Sequence, residues 1–176
     1  MNAPNTFVAC SATLVAPPCE VFDLFANHIG RWWPMTQCER ADERREIVLE
    51  PRTNGRFYQT GCATGIELLG TVVACVPRRT LIIDLGLDAQ FVPSPAPRTS
   101  LEIFFMELAD GSTRLTIVHA ELDRFGLQAE AAQQGFAAGW RNILVAFTTF
   151  VDEERSDSAR QQQCTERKQS LRPGLY

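Results

Sequence analysis

The side chains able to move protons or hold a metal are few and scattered. Six cysteines (Cys10, Cys19, Cys38, Cys62, Cys75, Cys164) and two histidines (His28, His119) make up the whole thiol and imidazole inventory. There is no CxxC pair, and the histidines belong to no Cys/His cluster, whereas a zinc site wants such ligands grouped. Most of the cysteines lie among apolar residues of predicted strands and read as small hydrophobes. No metal and no cofactor is expected. No Ser-His-Asp or Cys-His arrangement is legible, and the dispersed glycines form no phosphate cradle. His119 is the best acid–base candidate. Leu115, Ile117 and His119 alternate along one strand, so if the first two face a core, His119 does too. It is either a pocket acid, base or donor, or a satisfied core polar group, which is the commoner case. His28 reads as a capping or surface residue. Glu50, Glu67 and Asp84 lie within or beside strands. A carboxylate turned into an apolar cavity has a raised pKa and can do acid–base work; one turned to water does not. Alternation leaves Glu67 without an assigned face, because Gly70 is a candidate bulge.

These residues must be positioned by elements whose periods are readable. Phe7–Val15 reads as a strand, stopped by Pro17-Pro18, which suits the first turn of a helix over Cys19–Ala26. Ile29–Pro34 is a short turn or helix containing Trp32-Trp33. One of these two tryptophans either lines a cavity mouth or plugs the end of a sheet. The charged run Glu39–Glu46 reads as a solvated connection. Strands follow over Ile47–Leu49, Arg56–Cys62, Ile66–Val76, Thr80–Leu87, Ser100–Leu108 and Ser112–Ala120, with Asn54-Gly55, Thr64-Gly65 and Asp110-Gly111 marking turns. Short connections make the pairing mostly antiparallel. The run Gly86–Ser100 carries Pro93, Pro95 and Pro97 and cannot be a central strand; loops of this length are often functional. The period then changes. Phe136, Trp140, Ile143, Leu144, Phe147, Phe150 and Val151 stand at offsets 0, 4, 7, 8, 11, 14 and 15, the apolar stripe of a long helix ending near Glu153. The expected fold is α+β, a curved antiparallel sheet of about seven strands gripping the C-terminal helix. Residues 1–154 form the domain, and 155–176, polar and Gln-rich, read as a disordered tail.

A chain of 176 residues fits one domain, and a net charge of −4 from 17 basic and 21 acidic residues argues against nucleic acid as a partner. Apolar runs fall far short of the roughly 20 residues of a membrane span, so no membrane partner is expected. The first five residues show no basic segment followed by an apolar stretch, and the expected location is cytoplasmic.

A series of residues resembles a known family: Pro18, Val21, Phe22 and Phe25; Ile29, Trp32-Trp33-Pro34; Glu50-Pro51-Arg52 with Gly55-Arg56-Phe57-Tyr58; Gly65, Gly70 and Val72; Pro77 and Leu81; Gly111, Thr113-Arg114-Leu115, Ile117 and His119; Gly139-Trp140. In order and spacing it resembles proteins like the activator of the heat-shock-protein-90 ATPase, of the START-like superfamily, over about Phe7 to Val151. The resemblance implies the helix-grip fold. Where the family often carries aromatics, this chain has Leu69, and Leu85 and Leu87, which would enlarge or reshape a cavity.

The expected function is binding of a small hydrophobic or amphipathic molecule between the sheet and the C-terminal helix. Trp33, Phe57, Leu85, Phe91, Phe105, His119, Phe136 and Trp140 are the candidate pocket residues. Phe91, the only aromatic of the Pro-rich loop, reads as a lid anchor over a cavity bordered by Trp33 and Trp140. Two alternatives stand beside this: a polyketide-cyclase-like enzyme, which needs an inward ionisable group such as His119 or Glu67, and a module regulating a chaperone ATPase. The outer sheet face, with Ile82, Phe104, Met106 and Val118, is expected to join two copies in a homodimer.

Overall fold

The computed structural model describes residues 6–34, 46–60 and 65–170, with side chains to residue 162. Seven strands form one antiparallel sheet: β1 (Val8–Leu14), β2 (Glu46–Leu49), β3 (Arg56–Thr60), β4 (Ile66–Val76), β5 (Thr80–Leu85), β6 (Thr99–Glu107) and β7 (Thr113–Ala120), in the spatial order β1-β7-β6-β5-β4-β3-β2. Helices α1 (Pro18–Ala26) and α2 (Ile29–Trp32) follow β1, and α3 (Ala129–Ser170) closes the chain. This is the expected helix grip. Period-2 alternation turns Leu81, Ile83 and Leu85, Leu101, Ile103 and Phe105, and Leu115, Ile117 and His119 to one side, where all nine are buried. Register aligns them in rows, Ile83 with Leu101 and Leu101 with His119, Leu81 with Ile103 and Ile103 with Ile117. The helix stripe Ala132, Phe136, Trp140, Ile143, Leu144, Phe147 and Val151 is buried too. Burying one such side chain contributes about 1.5–3 kcal/mol, so a two-sided apolar interior of this kind supplies the driving force for the grip.

The connections differ from the expectations in three places. A 3-10 turn over Leu122–Gln128, for which the sequence carries no signal, leads the chain from β7 to α3; Gly126, at φ 57°, breaks the path between them. The charged run is cut: Glu46 belongs to β2, while its remainder lies outside the described residues, as do Cys38, Cys62 and the end of the strand expected to reach Cys62. Most clearly, α3 does not stop near Glu153. It runs to Ser170, through the segment expected to be a disordered tail; residues 171–176 lie outside the described residues. The apolar stripe does end at Val151, and Asp152 to Gln162 are almost wholly exposed. A helix needs no apolar stripe to continue when its residues are good helix formers without Gly or Pro. An i,i+3 pair between Arg160 and Asp157 (2.5 Å) adds local support. At its root the extension is tied to α1 and α2 by Arg155 to Glu20 (2.9 Å) and Arg31 to Glu154 (2.6 Å).

One bulge sets which residues face inward at the β2–β4 end. Phe57 pairs with Gly70 but Tyr58 with Leu68, so Leu69 is an extra residue in β4. Gly70 is required there: a Cβ would stand 2.7 Å from Ile83 Cγ2 and 2.9 Å from the Asp84 carbonyl oxygen.

Candidate functional site

At the centre of the concave face a short polar relay is sealed inside apolar surroundings. Trp140 Nε1 on α3 donates to His119 Nδ1 on β7 (3.1 Å). Indole nitrogen can only donate, so Nδ1 is unprotonated and the imidazole proton sits on Nε2, which donates to Thr99 Oγ1 on β6 (2.8 Å). His119 is fully buried, and burial lowers its pKa to about 4. The ring is neutral near pH 7 and both of its nitrogens are engaged. It therefore ties helix to sheet, and has no nitrogen left over to act on a ligand.

Aromatic rings extend from this relay to the surface in two directions. Phe136 stands edge-on to His119 (4.3 Å between centroids) and to Phe91 (4.7 Å). On the other side Trp140 meets Trp33 (6.3 Å), and Trp33 meets Phe57 (5.6 Å). The two adjacent tryptophans divide as helix geometry demands. Trp32 is core, its Nε1 donating to the Leu24 carbonyl (3.0 Å) and its ring packed on Phe25 and Phe147. Trp33, just past α2 in extended conformation, is only partly buried and spans from β3 to α3.

The Pro-rich loop is built rather than slack. Leu87 bridges Pro93, and the Ser94 amide donates to the Gly86 carbonyl (2.9 Å). At the tip, Asp88 Oδ1 accepts from the amides of Gln90 (2.8 Å) and Val92 (2.9 Å). Phe91 is presented from this tip at φ 64°. It lies on Phe136 and over Gly135 of α3, rather than over Trp33 and Trp140 as the sequence suggests. The loop's return is clamped by Arg98, which donates to Asp84 Oδ2 (2.9 Å) and to the Asp84 carbonyl (2.6 Å).

The three candidate carboxylates separate. Asp84 pairs with Arg98 on the outer face. Glu50 accepts from Arg56 and Arg52 at the β2–β3 turn, and the Arg56 guanidinium holds its pKa below the usual carboxylate range. Glu67 points the other way. The bulge puts it in register with Gln59, two residues along β3 from buried Phe57 and opposite buried Ile47, so both face inward. Gln59 Nε2 donates to Glu67 Oε2, and both residues are half-buried.

Seven of the eight expected pocket residues share one region. Trp33, Phe57, Phe91, His119, Phe136 and Trp140 form the ring series, and Leu85 pairs with Thr99 and Gly70 beneath it. Phe105 does not join them. It packs on Phe22 and Phe25 under α1, about 20 Å along β6 from Thr99 at roughly 3.4 Å per residue. Sequence reasoning missed Thr99 and Gln59. Counting alternation back from Leu101 and onward from Phe57 would have found both. Leu69 is buried as the bulge residue and Leu87 half-buried at the loop's start. Burial raises the thiol pKa values of Cys10 and Cys75, as fits small hydrophobes. Among the described residues no group of His, Cys, Asp and Glu could hold a metal ion, and no helix is long and apolar enough to cross a membrane. A separate groove of about 250 Å³, lined by Asn27, His28, Gly30, Arg31, Glu46 and Val48 among others, lies between α1–α2 and the edge strand β2.

Solved structures share this architecture. Protein MLL2253 from Mesorhizobium loti is 18% identical, with 84% of this chain and 98% of that one covered and a TM-score of 0.62. Protein NE0264 from Nitrosomonas europaea is 16% identical over 89% and 99%, with a TM-score of 0.61. CalU16 from Micromonospora echinospora is 20% identical over 92% and 87%, with a TM-score of 0.56. At these identities the likeness is one of fold. A comparison with curated proteins finds no match. Residues 15–152, from the end of β1 through the apolar stripe of α3, match the family described as Activator of Hsp90 ATPase homolog 1-like protein, and the chain belongs to that family.

Proposed function

We propose that this domain binds a small hydrophobic or amphipathic molecule on the concave side of the sheet, against α3. The observation that carries the reading is the ring series. It leads from two incompletely buried aromatics, Phe91 and Trp33, to a buried, fully hydrogen-bonded relay at His119. Apolar rings with a few convergent polar groups are what small-molecule sites are made of. The inward Gln59–Glu67 pair supplies a polar end, suited to a hydroxyl or amine of an amphipathic ligand.

That pair also favours a second reading, an enzyme of polyketide-cyclase type. Such an enzyme draws most of its effect from folding a flexible chain into a reactive geometry, with one inward acid–base group to finish it. Glu67 suits that role better than His119, whose two nitrogens are occupied. Native mass spectrometry of the purified protein tests the binding reading: a retained small molecule, and quenching of tryptophan emission on titration with an apolar fluorophore, are expected. A ligand-free spectrum together with no quenching would remove the proposal. Turnover of a bound polyketide that Glu67→Gln abolishes without loss of binding would favour the enzyme.

A further inference from the structure

The tip of the Pro-rich loop carries an energetic oddity. Phe91 is a large aromatic, 45% exposed, held in the left-handed backbone region that L-residues adopt only at a cost. The loop closes a tight turn around it, the Phe91 amide donating to the Asp88 carbonyl (3.0 Å) and the Asp88 amide to the Val92 carbonyl (2.9 Å). What holds the ring itself lies across the interface. Phe91 stands edge-on to Phe136 at an interplanar angle of 74°, and Phe136 stands edge-on to His119 at 77°. Gly135 makes the seat: a Cβ there would come within 3.0 Å of Phe91 Cζ. Within the tip the Asp88 carboxylate accepts from the Gln90 and Val92 amides, the Leu87–Pro93 bridge closes the tip onto the loop's base, and the return is pinned at Arg98. Phe91 is seated on α3 by contacts of its ring, so that ring can leave the seat while the loop's base and return stay.

We propose that Phe91 is a plug that a planar aromatic ring of the ligand displaces, the incoming ring taking the same edge-to-face position on Phe136. The inference rests on the binding reading above and adds two things to it, the class of ligand and the means of entry. The class follows from the geometry. Phe136 already offers its quadrupole to rings on both sides, and an incoming aromatic restores the edge-to-face pairing that Phe91 gives up on leaving. A saturated chain of equal hydrophobicity does not. Entry follows from the tip, whose shape Asp88, a positioning residue, sets through its two accepted amide bonds and with it how firmly Phe91 is seated.

The plug predicts an unusual sign. Truncating a ring that lines a site weakens binding, whereas truncating a ring that competes for the site strengthens it. The probe is 1-anilinonaphthalene-8-sulfonate, titrated by its own emission, with decanoate as a ringless competitor. Phe91→Ala should bind the fluorophore about tenfold more tightly, because a half-buried ring no longer has to be displaced. Asp88→Ala, which leaves every ring in place, should shift affinity in the same direction. Adding Gly135→Ala to Phe91→Ala should cancel the gain, since the new methyl stands where the ring must settle; as a Gly to Ala change within a helix it favours the fold. Decanoate affinity should change little throughout. Unchanged or weaker fluorophore binding in Phe91→Ala, or a gain that survives Gly135→Ala, overturns the plug and leaves the binding reading standing. Absence of binding in the wild type and every variant overturns the binding reading, and the plug with it.

Discussion

Replacing His119 with Phe isolates the relay. Phenylalanine keeps a planar ring against Phe136 and Trp140 but removes both nitrogens. At pH 7.5 the variant leaves the Trp140 N–H without an acceptor in a buried site, at a cost of about 1–3 kcal/mol. The pH dependence then separates this from ordinary packing loss. The folded-state pKa of His119 is about 4, below the ordinary histidine value of 6.5, and burial is the cause. A depressed folded pKa means that the unfolded chain takes up the proton first. Above about pH 6.5 both states are neutral and the group adds no slope. As pH falls further the unfolded state is favoured by about 1.4 kcal/mol per unit. Near pH 4 the folded state protonates too, and the slope levels off after a total loss of about 3 kcal/mol. By about pH 5 the wild type should have lost about 2 kcal/mol through this residue, and His119→Phe none. Urea unfolding of both proteins, followed by circular dichroism at about pH 7.5 and pH 5, reads the difference directly. The stability gap should narrow by about 2 kcal/mol at the lower pH. The carboxylates titrate alike in both proteins and cancel in that difference. A gap that stays constant would show that His119 gains its proton as easily folded as unfolded, and the sealed relay would be wrong.

Gly70→Ala should destabilise the fold by about 1–3 kcal/mol, because its methyl meets Ile83 and the Asp84 carbonyl inside van der Waals distance; a neutral effect in thermal melts would mean that the bulge relaxes freely. Truncation after Ser156 should move the thermal midpoint by no more than a few degrees, since the removed sequence is polar, its residues 157–162 are exposed and surface ion pairs contribute little; a large drop would assign it a packing role. The outer face, where Met106 is exposed and Ile82, Phe104 and Val118 are half-buried, is proposed as a homodimer interface. Light scattering should find a dimer in the wild type and a monomer in Phe104→Glu, and a monomeric wild type would end that proposal.

The fold is legible in the sequence because its two periods are clean. Alternation in Leu81–Leu85, Leu101–Phe105 and Leu115–His119 and the heavy stripe from Phe136 to Val151 each point one way, and short turns leave few topologies to choose from. What escapes is set by packing that no period encodes. The polar end of α3 has no stripe, so nothing in the sequence extends it beyond Glu153. Glu67 cannot be oriented without the bulge at Leu69, whose extra residue turns every side chain beyond it to the other face. Phe91 is recognisable as a special residue, but its seat depends on where Gly135 falls when loop and helix meet. Phe105 is misgrouped for a simpler reason: it shares a face with Thr99 but not a position along the strand.

The residues that build the interior are for the most part the residues that would meet a ligand, and this governs how function can be dissected. Trp140 and Phe136 belong to the core stripe, and truncating such a side chain costs about 3–5 kcal/mol. A loss of binding there is entangled with a loss of fold. Three positions escape the coupling. Phe91 is half in water, so its removal takes little from the core. Gln59 and Glu67 sit at the edge of the apolar row, half-buried and bonded to each other, so Gln59→Leu or Glu67→Gln alters the polar end without opening a cavity. On the proposed binding reading, ligand preference should therefore shift through Phe91, Gln59 and Glu67, while His119, Trp140 and Thr99 hold the frame in which those three act.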